Sequence, residues 1–157
     1  MGREFDELFE QYSDRLYRLC FAITGNAPDA EDALQETFAA VHRGLGSFRE
    51  QASPYTWLYR VALRAAIRVR SRQRRHAPIE NSAAHRANNL DPRPDLESRQ
   101  ALQHGLARLT AEQRTLLAFV VSGLNHQEIA AILGVPVGTI WSRVHQARRS
   151  LADSIKG

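Results

Sequence analysis

The chain lacks most of what would point to a familiar chemistry. It has one cysteine in 157 residues, which excludes an internal disulfide and leaves no Cys-x-x-Cys pair for zinc. That residue, Cys20, sits at an apolar helical position and reads as a buried bystander rather than a redox sensor. The six histidines never fall at His-x-x-x-His spacing, so no metal is expected. No apolar run approaches the ~20 residues that span a bilayer, and the opening "MGREFDELFEQ" is acidic where a secretory leader would be basic and then apolar. A cytoplasmic chain without membrane insertion is expected. A glycine-rich phosphate loop, a nucleophile elbow and a histidine-anchored triad are all missing. The best catalytic case is the acidic run Asp29, Glu31, Asp32 and Glu36 holding magnesium in a nuclease. It is a weak case, and neither enzymatic activity nor a cofactor is expected.

Lysine is nearly absent as well, since Lys156 alone accompanies twenty arginines. The arginines are unevenly spread. Residues 1–50 carry a net charge of −5, residues 51–90 carry +7 and residues 91–157 carry +2. A change of sign within so short a chain points to two surfaces for two partners, one of them a polyanion.

Three amphipathic helices are predicted in the first half. Phe5, Leu8, Phe9, Tyr12, Leu16, Leu19, Cys20 and Ile23 follow the i, i+3, i+4, i+7 rule, with Gly25 and Asn26 as a stop. A second helix begins near Pro28, turns Ala30, Ala33, Leu34, Phe38 and Val41 inward, and ends around Gly44 or Gly46. Its acidic opening suits the positive end of the helix dipole. The third starts with Ser53 as N-cap and Pro54 in the first position. Its stretch "WLYRVALRAAIRVRSRQRR" combines an apolar face with arginines at 60, 64, 68 and 72. Like charges four apart destabilise an isolated helix by roughly 0.2 to 0.5 kcal/mol per pair, a cost that a polyanionic partner would relieve. Each four-residue step advances about 6 Å and turns about 40° past a full turn. The line winds slowly and can therefore track a phosphate backbone.

Residues 76–95 lose this pattern, with three prolines and three asparagines, and read as a linker. Helices then resume. Leu96, Leu102, Leu106 and Leu109 line one. Thr110 with Gln113, and Asn125 with Glu128, form two capping boxes that open the next two. Leu116, Leu117, Phe119, Val120, Ile129, Ile132, Leu133, Ile140, Val144 and Leu151 supply a core. A short helix, a turn at Gly134 and a last helix with polar and basic side chains make a helix-turn-helix, whose second helix can enter a major groove. Ser142, Arg143, His145 and Gln146 offer donors and acceptors for phosphates and base edges. Generic α-hairpins share this outline.

The residues themselves narrow the reading. "NHQEIAAILGVPVGTIWSRVHQARRSL" resembles region four of bacterial sigma factors, where E-I-A, L-G-V, G-T, S-R and A-R come at these intervals. "ITGNAPDAEDALQETFAAVHRGL" followed by "PYTWLYRVAL" resembles region two. The two motifs in this order, with a plain linker and no region three, resemble the extracytoplasmic-function (ECF) group of the sigma-70 family. The resemblance implies an all-α chain of two small domains: region two at 1–75, the linker at 76–95 and region four at 96–157. It implies core RNA polymerase as a partner of Asp32, Gln35 and Glu36 and extends to Phe38, which helical period places in the core instead. It implies contact of Arg60, Arg64, Arg68 and Arg72 with the minus-ten region of promoter DNA, and of Thr139, Ser142, Arg143, His145 and Gln146 with the minus-thirty-five element. An anti-sigma factor is a further implied partner. The competing readings are an autonomous helix-turn-helix regulator and a sigma mimic that occupies a regulatory partner. Many ECF sequences carry Asn at the position of Arg64, Asp at that of Arg68 and a basic residue at those of Trp141 and Gln146, so relatives' promoter sequences do not transfer.

Overall fold

The computed structural model describes residues 2–44, 53–76 and 96–156, and among them every regular element is an α-helix. Helices α1 (Gly2–Thr24), α2 (Ala27–Gly44) and α3 (Pro54–His76) belong to a first unit, Met1–Ala77. Helices α4 (Leu96–Arg108), α5 (Ala111–Val121), α6 (His126–Leu133) and α7 (Val137–Lys156) belong to a second, Pro78–Gly157. His76, read from sequence as linker, ends α3; the rest of that linker lies outside the described residues, as does Gly46.

In the first unit each helix packs on the other two. Leu16, Leu19, Cys20 and Ile23 of α1 are buried as their spacing predicts, and each large aliphatic among them contributes about 1.5 to 3 kcal/mol. Phe9 departs from the pattern: it is 45% exposed, and its ring leans on buried Phe38 with centroids 4.8 Å apart. Burial pushes the Cys20 thiol up to about 12. At neutral pH it is a protonated, unreactive filler of the core.

The turn from α1 to α2 is compact. Gly25 takes φ 88°, which glycine adopts without penalty, and donates its N–H to the Phe21 carbonyl at 2.8 Å. Asn26, read from sequence as part of the stop, opens the next helix. Its Oδ1 accepts from the Asp29 N–H at 2.9 Å and its Nδ2 donates to the Asp29 carboxylate at 2.7 Å. Helix α3 starts as expected, with Ser53 Oγ accepting from the Thr56 N–H at 3.1 Å. Leu58, Tyr59, Ala62, Ala65, Ala66 and Val69 form its buried face. Trp57 is only half-buried. Its Cζ2 lies 2.9 Å from where a Cβ on Gly44 would stand, so the end of α2 accommodates this indole by having no side chain there.

In the second unit α7 is the spine, and α4, α5 and α6 each pack against it. Ile140, Val144 and Ala147 meet Leu116, Phe119, Ile129 and Ile132 in a buried core, while Leu117, Val120, Leu133 and Leu151 are half-buried at its edge. The side chains of Leu96 and Leu102 lie outside the described residues. Gly105 lets α4 lie close to α7, because a Cβ there would come 2.9 Å from Leu151 Cδ1. Both capping boxes form in full, at Thr110 with Gln113 and at Asn125 with Glu128. Gly134 closes α6 in the left-handed region at φ 71°, donating to the Ala130 carbonyl at 2.8 Å.

Candidate protein and nucleic-acid interfaces

The acidic side of α2 follows from its phase. Ala30, Ala33, Thr37, Phe38 and Val41 are buried, so Asp32 and Gln35 stand exposed and Glu36 is half-buried beside them. Asp32 stands one turn before both Gln35 and Glu36, so the three share one face. Next to it runs a surface groove of about 650 Å³, whose walls include Phe9, Leu34, Gln35, Phe38 and His42. Polar and apolar contact surfaces therefore adjoin at Gln35.

The arginine line of α3 divides in two. Over twelve residues it advances about 18 Å and turns about 120°, enough to carry its end round to α2. There Arg72 Nη2 hydrogen-bonds Glu36 Oε1, and Arg68 Nε stands 4.0 Å from Glu36 Oε2. The hydrogen bond from Arg72 to Glu36, then the charge of Glu36, raise the Arg72 pKa against desolvation, and Asp32 adds a lesser upward pull. Arg60 is half-buried, and Arg64 is exposed with no ion pair among the described residues. Glu36 thus belongs to both candidate surfaces. That link joins residues 36 apart in sequence, and spacing alone does not reveal it.

On α7 the side directly opposite the core carries Gly138, Ser142, His145 and Arg149, all exposed, with Gln146 and Trp141 on its two borders. The Ser142 hydroxyl donates to the Thr139 carbonyl at 3.1 Å, while half-buried Thr139 lies toward the α5 flank. Arg143 differs from the expectation. It follows Ile140 by three residues and precedes Val144 by one, which turns it to the flank facing α5, where its Nη1 pairs with Glu112 Oε1 at 3.0 Å. A small polar recess between Arg143, Gln146, Glu112 and Gln113 marks this contact. Arg149 was missed by the sequence reading, although its place seven residues after Ser142 is the signal that could have found it. His126 was missed too; its imidazole lies flat on the Trp141 indole.

Among the described residues no cluster of three or more His, Cys, Asp or Glu could hold a metal ion. Nor is any helix there long and apolar enough to cross a membrane. The arrangement suits binding: an acidic face with an apolar groove for a protein, a guanidinium line for a phosphate backbone, and a mostly polar helix face, with Arg149 at its far end, for base edges.

Comparison with known proteins finds a family match in each half of the chain. Residues 8–76 match the family described as Sigma-70 region 2, and residues 99–151 match Sigma-70, region 4. The chain is 36% identical over 151 residues to the ECF RNA polymerase sigma factor SigM of Mycobacterium tuberculosis, covering 94% of this chain and 75% of that one. It is 29% identical over 166 residues to SigW of Bacillus subtilis, covering 97% and 89%. Among solved structures it superposes with a TM-score of 0.68 and 23% identity on the sigma factor RpoE of Bartonella quintana, crystallised with the anti-sigma factor NepR, covering 98% of each chain. With CnrH, in complex with the cytosolic domain of CnrY, the TM-score is 0.71 at 20% identity, covering 99% of this chain and 90% of that one. These two likenesses are of fold.

Proposed function

The chain belongs to the ECF group of the sigma-70 family, and from that premise we propose how its surfaces share the work. As a sigma factor it binds core RNA polymerase and directs promoter recognition and transcription initiation. Factors of this family are initiation factors, not enzymes, and we infer that this chain likewise works without catalysis of its own, in the cytoplasm. Residues 1–75 dock on the polymerase and engage the minus-ten region, 76–95 are the linker, and 96–157 hold the minus-thirty-five element. Asp32, Gln35 and Glu36 face a basic surface of the polymerase, with the neighbouring groove as an apolar seat. Arg60, Arg64, Arg68 and Arg72 meet the phosphates of the melting strand, with exposed Arg64 foremost. Ser142, His145 and Gln146 read the upstream duplex, while Arg143 steadies α7 against α5.

The observation that carries this reading is the pairing of Glu36 with Arg68 and Arg72. Docking and strand capture adjoin on one surface, so a polymerase seated on α2 delivers DNA to α3 beside it. Half-exposed ion pairs of this kind add little net stability and exchange partners readily. An anti-sigma factor is a natural inhibitor of such a chain, as one accompanies the fold neighbour from Bartonella quintana. The autonomous regulator is not favoured, because it leaves the region-two half without a role.

Reconstituted run-off transcription with core polymerase on genomic fragments tests the whole reading. Defined transcripts that need both proteins are expected. Operator footprints by the chain alone, with no transcript in the presence of core enzyme, would overturn it.

A further inference from the structure

Trp141 is 61% exposed on α7, and none of the contacts assigned above uses it. It precedes Ser142 by one residue and follows Gly138 by three, so it borders the face that α7 turns to the duplex. Its indole lies against the His126 imidazole with centroids 4.1 Å apart and planes within 4°. One face of the ring is covered and the other is open. Because the stack holds the ring in one orientation, little side-chain freedom is left to lose on binding. Nothing lies within 4 Å of where a Cβ on Gly138 would be, which lets another molecule approach this turn closely. Val137, one turn earlier and 38% exposed, extends the apolar strip.

An uncharged ring at a groove gains most from an apolar feature, and in the major groove that feature is the thymine 5-methyl group. A protein partner fits less well. The next exposed apolar side chain along α7, Ile155, is about 21 Å away, so the strip offers far less than the ~800 Å² per partner of a stable protein interface. We propose that Trp141, positioned by His126, is a specificity-determining residue that recognises a thymine methyl group in the minus-thirty-five duplex. This rests on α7 being the duplex-reading helix.

The test uses holoenzyme and the strongest promoter recovered by run-off transcription, with each upstream thymine replaced in turn by uracil, which removes only the methyl group. Wild type should lose about 4-fold in affinity at one position, the worth of one buried methyl. Trp141→Ala should bind thymine and uracil duplexes equally there with an unchanged salt slope, since the indole carries no charge. His126→Ala should keep the indole but show weaker discrimination. Wild-type indifference to every uracil would overturn the proposal. So would undiminished uracil sensitivity in Trp141→Ala, which would leave the indole to a protein partner. Absence of any promoter-selective binding would bring down the reading of α7 along with it.

Discussion

The two units present opposite kinds of surface. In the first, the exposed functional side chains are charged and tied across helices, with Glu36 of α2 holding Arg68 and Arg72 of α3. In the second, the outward face of α7 begins with Gly138, Trp141, Ser142 and Gln146, none of them ionisable; Arg143 is turned aside to Glu112, and Arg149 comes only at the far end of that face. Charge captures a backbone of any sequence, whereas neutral donors, acceptors and apolar edges distinguish bases. On the proposed reading the first unit supplies affinity and the second choice.

If the comparison holds, the largest effect comes from Asp32→Arg with Glu36→Arg, which sets like charge against a basic docking surface and also releases Arg68 and Arg72. Affinity for core polymerase, measured by titration of labelled chain, should fall by about 100-fold or more; an unchanged affinity would remove α2 from the docking surface. Next in size is Arg60→Ala with Arg64→Ala. Open-complex formation should drop, and the slope of log K against log salt should flatten by about 1 to 2. Arg68→Ala alone should flatten it less than Arg64→Ala alone, because the Arg68 side chain is shared with Glu36. A smaller change is expected from Ser142→Ala with Gln146→Ala: about 10-fold poorer discrimination between promoter and random duplex in competition assays, equivalent to about 1.4 kcal/mol. The smallest is structural. Asn125→Ala should cost about 1 kcal/mol by removing the cap of α6, read as an earlier thermal transition of the second unit with the first unit unmoved.

What could be read from the sequence was local. Each capping box joins residues three apart in the chain, and the structure forms both as spelled. The buried faces of α1, apart from Phe9, and of α7 follow from helical period, as does the turn at Gly134. What escaped depends on contacts across distance in the chain. Glu36 reaches Arg72 over 36 residues and Arg143 reaches Glu112 over 31, and no periodicity encodes which flank of a helix its neighbour covers. Phe9 shows the same limit, because its apolar phase is correct while the helix that would bury it leaves a groove instead. Asn26 stands in the stop after α1 as its position suggests, and it also caps the next start, since one residue can do both.

The most direct test of the charged and neutral division is the salt dependence of promoter-complex formation by reconstituted holoenzyme, compared between the Arg60→Ala, Arg64→Ala pair and the Ser142→Ala, Gln146→Ala pair. The account predicts a flatter slope for the arginine pair and a wild-type slope with poorer discrimination for the other. A wild-type slope for the arginine pair together with a flattened slope for the recognition-helix pair would contradict it.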